Sequence, residues 1–335
     1  MSVRVGIVSF AHVHAPPYAA ALAELEAVDF VGITDREAAR GREAAERYGV
    51  AFYEEAESLF EAVEAVVVCS ENRGHADDAI SALERGVHVL CEKPIATTVE
   101  DARAMIRASE ATGRQLRTAF PVRHLPGIIR ACEVVRSGGV GRVLAVNATN
   151  HGQIPGGWFL DPEASGGGAV MDHTVHVADL LRWMLDVEAG SVYAEVGTFF
   201  GAEGIDDAAI LTLELEGAAG AFADGTFATI DPSWSRGDGF PTWGDVTLRI
   251  TGTTGVLDVD PFARHLTTFH HETGDTSWAY TGEDMNALML EDFLRGVAEN
   301  DPAGASGEDG LRALEIVLAA YASGEDHEPK SVRRA

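Results

Sequence analysis

Short apolar runs alternate with amphipathic stretches through residues 3–119. The stretches with apolar residues three and four apart are predicted helices, at 16–26, 37–48, 75–85 and 99–112. The runs between them, rich in Val and Ile, are predicted strands, at 3–8, 29–34, 65–69, 88–91 and 115–119. Apolar strands that alternate with helices are typical of a doubly wound parallel sheet with helices on both faces.

The pattern changes after Arg123, where apolar and polar residues alternate with a period of two between glycine-rich turns. This period predicts strands at 142–149, 192–199, 209–215, 219–228, 246–251, 256–259 and 266–271. Helices are predicted at 126–137, 172–185, 284–299 and 308–323, and the polar tail from Gly324 is predicted to be loose. We therefore expect a doubly wound α/β domain at 1–122 and an α+β domain with an open, mainly antiparallel sheet at 123–335.

Charge narrows the range of partners. The 335 residues include 53 Asp and Glu against 25 Lys and Arg, a formal net charge of −28. This balance argues against nucleic acids and anionic membranes, because binding to them needs basic surface. Only two of the basic residues are lysines, which favours a halophile with molar internal salt, where the Debye length is roughly 3 Å. An acidic protein of a mesophile is the alternative.

The sequence gives no sign of export or membrane insertion. No apolar run reaches the length of a membrane-spanning helix, and residues 2–8 resemble a buried strand rather than a signal peptide. The three cysteines show no disulfide or zinc spacing. We therefore expect a cytoplasmic protein.

The loop between the first strand and the first helix is where a glycine-rich dinucleotide fingerprint is expected. Its three glycine positions hold Ser9, Ala11 and His14, and Phe10 and His12 lie between them. The two small residues still let a diphosphate approach the backbone, although more tightly. His14, in the first helical turn, is a candidate donor to a phosphate.

Asp35 stands at the end of the second strand, about 20 residues beyond this loop. A carboxylate there suits the ribose hydroxyls of an adenosine and repels a 2′-phosphate, which predicts NAD over NADP. Arg36 and Arg40 lie close enough in sequence to weaken that preference. A helix N-cap is an equally good role for Asp35.

Two further strands of the predicted parallel sheet end in polar residues. The first is followed by Ser70, Asn72 and His75, and the second by Glu92 and Lys93. Open α/β sheets bind their ligands at these carboxyl ends. The lysine is notable in a chain that otherwise uses arginine, because arginine cannot replace a compact ammonium group whose pKa can move.

The second domain adds a glycine run at 166–168 followed by a predicted helix. Asp172 and His176 are four residues apart, so they share one face of that helix. Apolar residues further along, such as Leu180 and Met184, can bury the helix against a core.

Taken together, the chain resembles the Gfo/Idh/MocA oxidoreductase family, which includes glucose–fructose oxidoreductase and inositol dehydrogenase. The resemblance runs over nearly the whole length, and it rests on Asn72, His75, Glu92-Lys93-Pro94, Arg123, Trp158, Asp172, His176 and Asp179. It implies a Rossmann domain for NAD(P) and an open-sheet domain. It also implies hydride exchange with a secondary alcohol of a sugar, polyol or similar molecule, and a homodimer or homotetramer formed through the open sheet.

The resemblance also implies roles for individual residues. Lys93 would hydrogen-bond the reacting oxygen and favour its alkoxide character. His176 would accept the proton as general base, for which an ordinary pKa of roughly 6.5 is suitable. Asp172 would orient that group and bind a neighbouring hydroxyl. Pro94 is often cis in this family.

The predicted site has a cofactor part and a substrate part. The cofactor-binding residues are Ser9, Phe10, Ala11, His12, His14, Asp35, Arg36, Ser70, Asn72, His75, Glu92, Lys93 and Arg123. The substrate-binding residues are Lys93, His151, Trp158, Asp172, His173 and His176, of which Lys93, Asp172 and His176 are the predicted catalytic residues. No metal is predicted, since neighbours on a helix point about 100° apart and Asp172 and His173 would share a metal ion awkwardly.

Three departures from the family pattern leave other functions open. The loop glycines are lost, Glu71 stands where proline is usual, and Thr174 stands where glycine is usual. An enzyme that cleaves glycosidic bonds by transient oxidation, with the cofactor kept bound, would use the same residues. A non-catalytic ligand-binding or regulatory protein would explain the lost glycines, but not the intact set of Lys93, Asp172 and His176.

Overall fold

The strands and helices alternate along the first part of the chain and give way to longer strands later. The computed structural model describes residues 2–217 and 222–332. The elements up to residue 118 are β1 (Val3–Val8), α1 (Ala15–Glu24), β2 (Val28–Thr34), α2 (Ala38–Tyr48), β3 (Ala51–Tyr53), α3 (Ala56–Ala62), β4 (Ala65–Val68), α4 (His75–Glu84), β5 (His88–Cys91), α5 (Val99–Thr112) and β6 (Leu116–Thr118). Short 3₁₀ turns lie at Asn72–Gly74, Pro121–His124 and Gly157–Leu160.

The later elements include the longest strands and helices. They are α6 (Pro126–Arg136), β7 (Val143–Gly152), α7 (Pro162–Ser165), α8 (Ala169–Leu185), β8 (Val187–Gly197), β9 (Ala208–Gly217), β10 (Phe222–Ser233), β11 (Gly244–Gly252), β12 (Val256–Val259), β13 (His265–Phe269), β14 (Thr276–Tyr280), α9 (Met285–Glu299), α10 (Gly307–Asp326) and β15 (Lys330–Ser331). No helix in the described part of the chain is both long enough and apolar enough to cross a membrane.

The first unit contains a parallel sheet with the strand order β3-β2-β1-β4-β5-β6. The strands are short and apolar, and all four residues of β4 are buried. This is the strand order of a doubly wound dinucleotide-binding sheet, and the order reverses between β1 and β4, where such sheets bind ligands. The predicted fold class of this unit is confirmed.

The predicted division of the chain needs a correction near its C-terminal end. The first unit contains residues 1–121, 163–166 and 285–314, whereas the sequence pattern places 285–314 in the second domain. The apolar face of α9, with Met289, Leu290 and Phe293, packs into the core that contains β1. A periodic helical pattern shows which face is apolar, but it does not show which of two cores that face joins.

The second unit, residues 122–162, 167–284 and 315–335, contains a larger mixed sheet. Its order is β12-β11-β7-β10-β9-β8-β15, and β7 and β10 are its one parallel pair among the described residues. The long helix α8 packs on one face, against β7, β8, β9 and β10. The predicted open, mainly antiparallel sheet is therefore confirmed. Residues 219–221 of the strand predicted at 219–228 lie outside the described residues.

Several short elements escaped the sequence pattern. β3 and α3 are too short to show a period, and β14 pairs with β13 in a separate two-stranded sheet. The prediction of a loose tail from Gly324 is wrong as far as residue 332. α10 runs to Asp326, and Lys330 and Ser331 then pair with β8. This pairing hydrogen-bonds backbone groups, so the polar side chains of the segment give no sign of it.

His88 makes the stability of the first unit depend on pH. Its Nδ1 accepts the Gln115 N–H at 3.0 Å, and burial, followed by the charge of Arg114, lowers its pKa from 6.5 to about 4. Between pH 6.5 and pH 4 the unfolded chain therefore binds a proton at this histidine and the folded protein does not. The free energy of unfolding falls as the pH is lowered through this range. Chemical unfolding at pH 7 and pH 5 should show a smaller loss for His88→Gln than for the wild type. An equal loss in both proteins would contradict this role.

Candidate active site

The loop after β1 contains no glycine, yet its first residue takes a backbone conformation that is typical of glycine. Ser9 has a φ of 69°, in the left-handed region that glycine adopts most readily. The Phe10 N–H donates to Asp35 Oδ2 at 2.7 Å, which ties the loop to the end of β2. Asp35 also accepts from the Glu37 N–H and from the Arg40 guanidinium, and its side chain is fully buried.

Most backbone N–H groups of this loop already have partners. Those of Ser9, Ala11, His12 and His14 donate to Thr34 O, Ser9 Oγ, Cys69 O and His12 Nδ1, respectively. The first turn of α1 also contains Pro16 and Pro17, which have no N–H. Side chains must therefore supply much of what a glycine-rich loop gives a diphosphate through its backbone.

Two histidines of the loop surround the buried Glu92. His14 Nδ1 lies 3.1 Å from Glu92 Oε1, and His12 Nε2 lies 3.9 Å from Oε2. Burial alone would raise the pKa of Glu92, but His12 and His14 outweigh it and hold that pKa well below its usual range. The carboxylate is therefore ionised, and it orients the partly exposed His14 ring.

These three side chains are close enough together to hold a metal ion. The hydrogen bonding, however, opposes ligation by His12. Its Nδ1 accepts the His14 N–H at 3.2 Å, so the ring proton lies on Nε2, which faces Glu92. A metal-bound histidine has the opposite arrangement, with the second nitrogen donating. Burial also lowers the pKa of His12, so the cluster fits a carboxylate flanked by two imidazole rings better than a metal site.

The turn that carries Lys93 is fixed by buried polar groups of the same unit. Lys93 is 3% exposed, two residues after the end of β5, and its peptide bond to Pro94 is cis. His75 Nδ1 lies 2.9 Å from Pro94 O, and its Nε2 lies 3.1 Å from Ser70 O. Burial lowers the pKa of His75, and a neutral ring donates to only one of these two carbonyl oxygens.

Two other predicted cofactor residues form a hydrogen bond or an ion pair within the first unit. The Asn72 side-chain amide donates to Ser165 O at 2.8 Å, and Arg36 pairs with Asp78 at 2.7 Å. Both are at carboxyl ends of strands, as predicted. Asp78 lies in α4 and Ser165 ends α7, so these bonds tie the segments after β2 and β4 to neighbouring helices.

In the second unit, Asp206 caps α8, the helix that carries Asp172 and His176. Its carboxylate accepts the Gly168 N–H at 2.9 Å and the Val170 N–H at 2.8 Å, and Tyr321 OH donates to it at 2.9 Å. A carboxylate at the N-terminus of a helix also interacts favourably with the positive end of the helix dipole. Asp206 lies far from α8 in sequence, so no local motif could have revealed this cap.

Asp172 lies in the first turn of α8 and is held by two neighbours. Trp234, which is buried, donates its indole N–H to Asp172 Oδ2 at 3.0 Å. His173 Nε2 lies 3.2 Å from the same oxygen. The expectation that adjacent helical residues point apart is therefore wrong for this pair, because both side chains are long enough to turn towards each other. A Cβ at Gly152 would lie 2.7 Å from the His173 ring, so the glycine makes room for it.

His176 follows one turn later on the same helix. It is the one partly exposed residue of α8 between 169 and 181, and the others, Thr174 included, are buried. A lone accessible histidine on an otherwise buried helix is well placed to exchange a proton with a bound molecule.

Three predicted site residues are elsewhere in the second unit. Arg123, a predicted cofactor residue, forms a buried ion pair with Asp179, with 2.6 Å between Nε and Oδ2. His151 points to the opposite face of the sheet from Gly152, since neighbouring residues of a strand alternate, and it pairs with Asp231 at 3.2 Å. The structure therefore does not bring His151 to the face covered by α8. Trp158 is partly exposed and stacks on Phe159 at 3.9 Å.

A doubly wound sheet with this strand order, a buried lysine after β5 and a second mixed-sheet unit define a dinucleotide-dependent oxidoreductase. Two models of one family match the chain. The oxidoreductase family with an NAD-binding Rossmann fold matches residues 3–120, and the GFO/IDH/MocA C-terminal domain matches residues 128–258. The chain belongs to the Gfo/Idh/MocA family and is an NAD(P)-dependent oxidoreductase, as predicted.

Characterised relatives act on sugars and polyols. The chain is 28% identical to the myo-inositol 2-dehydrogenase of Thermotoga maritima over 88% of each protein. It is 29% identical to the 1,5-anhydro-D-fructose reductase of Ensifer adhaerens over 77% of this chain and 76% of the relative. The fold also matches GenD2 from gentamicin A biosynthesis, solved in complex with NAD, with a TM-score of 0.87, 23% identity, and coverage of 100% of this chain and 97% of GenD2.

Proposed function

We propose that this protein oxidises a secondary alcohol of a sugar, polyol or related small molecule. The observation that carries the proposal is the buried Lys93 at the carboxyl end of β5, in the place where open parallel sheets bind ligands. The sugar- and polyol-converting relatives support the substrate class. NAD, when bound, supplies the hydride acceptor.

The residues of this chain would hold and polarise the alcohol. The Lys93 ammonium donates to the reacting oxygen and stabilises negative charge as it develops there. His176 accepts the proton of the hydroxyl as general base. Asp172, held by Trp234 and His173, accepts a hydrogen bond from a neighbouring hydroxyl of the substrate and so fixes the orientation of the substrate.

The residues after β1 and β2 fit a dinucleotide. Ser9 takes the backbone conformation of the missing glycine, so the loop keeps the path on which a diphosphate is bound. His14 is the N-cap residue of α1 and its ring is partly exposed, so it would donate to a phosphate there. The cofactor would be held by this loop, which Asp35 anchors through the Phe10 N–H, and by the turns that contain Ser70, Asn72 and Glu92-Lys93.

The setting that we propose is the cytoplasm of a cell with high internal salt, because acidic residues outnumber basic ones by 53 to 25. We further propose a homodimer or homotetramer formed through the open sheet. Its strands β9 and β10 expose Ile210 and Phe227 on the face opposite their buried neighbours. A second copy of the sheet would cover these apolar side chains.

Reduction of NAD by a panel of polyols and aldoses tests the proposed function. The full-length protein in molar KCl should reduce NAD with saturation by at least one of myo-inositol, an aldose or a 1,5-anhydro sugar. Formation of NADH is followed by its absorbance. Saturable cofactor binding without reduction by any secondary alcohol of the panel would contradict the proposed substrate class.

A further inference from the structure

The backbone of Ser9 is held in a conformation that serine disfavours. Its φ of 69° lies in the left-handed region, where a Cβ atom crowds the neighbouring backbone. Ser9 also stands at the first glycine position of the expected fingerprint. The loop therefore keeps a glycine-like path, and other contacts must stabilise that path.

Asp35 and Arg40 supply those contacts. Asp35 Oδ2 accepts the N–H of Phe10, the next residue, at 2.7 Å and lies 3.5 Å from Ser9 Oγ. Arg40 Nη2 lies 3.4 Å from Ser9 Oγ, and the guanidinium bonds both oxygens of Asp35, at 2.9 and 2.7 Å. Ser9 Oγ in turn accepts the Ala11 N–H at 3.2 Å. We call Ser9, Asp35 and Arg40 the Ser9 clamp.

Both carboxylate oxygens of Asp35 are occupied by hydrogen bonds from the protein. Oδ1 accepts the Glu37 N–H at 2.8 Å and one Arg40 nitrogen, and Oδ2 accepts the Phe10 N–H and the other. The Asp35 side chain has no exposed surface. It could contact a ribose hydroxyl only by releasing one of these donors.

We propose that Asp35 and Arg40 are positioning residues that hold the glycine-free loop in its cofactor-binding form. Asp35 then supports the binding of NAD and NADP alike, instead of selecting NAD through the 2′-hydroxyl. The inference rests on the proposed function only in taking a dinucleotide as the ligand. It also explains how Ser9 can replace a glycine at a position where the backbone must be left-handed.

A glycine at position 9 distinguishes two roles of Asp35, namely positioning the loop and binding the ribose of the cofactor. Asp35→Asn should weaken the binding of both NAD⁺ and NADP⁺ about tenfold, because the loop loses its charged anchor. Adding Ser9→Gly should restore most of the lost affinity for both, because glycine needs no clamp. Binding is measured by calorimetry on the full-length protein at high salt, and melting of the free protein should be higher for the double variant than for Asp35→Asn alone.

Asn300→Gly is the matched control. Asn300 is an exposed residue of the same unit with a φ of 54°, so glycine relieves the same backbone conformation away from the loop. In the Asp35→Asn background it should not restore binding. If it does, the rescue is a general gain in stability and the clamp is refuted.

Two results would overturn the inference. One is tighter NADP⁺ binding with weaker NAD⁺ binding in Asp35→Asn, the signature of direct ribose selection. The other is a double variant that binds no better than Asp35→Asn. Binding that follows the expected pattern in a protein that reduces no cofactor would support the clamp and refute the proposed oxidation.

Discussion

Replacing Lys93 with methionine is expected to lower turnover about a thousandfold while changing the affinity for NAD less than tenfold. In the proposed reaction the Lys93 ammonium acts mainly on charge that develops on the reacting oxygen, so its loss should affect the transition state more than the bound cofactor. Methionine keeps the length and the apolar stem of lysine but donates no hydrogen bond. Steady-state kinetics and calorimetry measure the two effects separately.

Lys330→Met is the control for this change, because Lys330 is the second lysine of the chain. It pairs with Asp326 at the end of α10, in the second unit. We expect its turnover to equal that of the wild type. Lys93→Arg keeps the charge, but arginine has a larger planar group, so it should recover little activity. Normal turnover of Lys93→Met would remove the lysine from the reaction.

Arg123→Met is expected to reduce the free energy of unfolding by about 3–5 kcal/mol. The change leaves the carboxylate of Asp179 buried without its bidentate partner, and the two side chains are 7% and 1% exposed. Chemical unfolding at one salt concentration measures the effect. Replacing both partners with apolar residues, as in Arg123→Met with Asp179→Leu, should recover much of the loss, because no buried charge then remains.

Arg249→Met offers a matched comparison in the same unit. Arg249 also makes a two-bond pair with a carboxylate, at 2.6 and 2.9 Å from Asp258, but both side chains are more than 60% exposed. Its loss should reduce the free energy of unfolding far less than the loss of Arg123, because solvent screens an exposed pair. Equal costs for Arg123→Met and Arg249→Met would show that burial does not decide the effect.

Much of the fold could be predicted because each unit has its own period. Buried parallel strands such as β4 appear as continuous apolar runs, and the strands of the second unit alternate. Neither period tells where a helix packs. α9 therefore joins the first unit although it follows the sheet of the second, and the C-terminal residues pair with β8 through backbone groups that leave no side-chain signal.

Only part of the candidate site could be predicted, because some of its residues come from segments that are distant in sequence. Lys93 and His176 have local signals, namely a strand end and a helical spacing. Asp206 and Trp234 act on α8 from distant loops, and only the folded chain brings them there. The strand register also decides which face a residue takes. For this reason His151 lies on the other side of the sheet from Gly152.

Transfer of deuterium from the substrate tests the central claim most directly. An alcohol that the protein oxidises is labelled with deuterium on the carbon bearing the reacting hydroxyl, and the reduced cofactor is then analysed by mass spectrometry. Direct hydride transfer predicts one deuterium in every reduced cofactor molecule and a slower reaction than with the unlabelled alcohol. Reduced cofactor without deuterium would contradict the account.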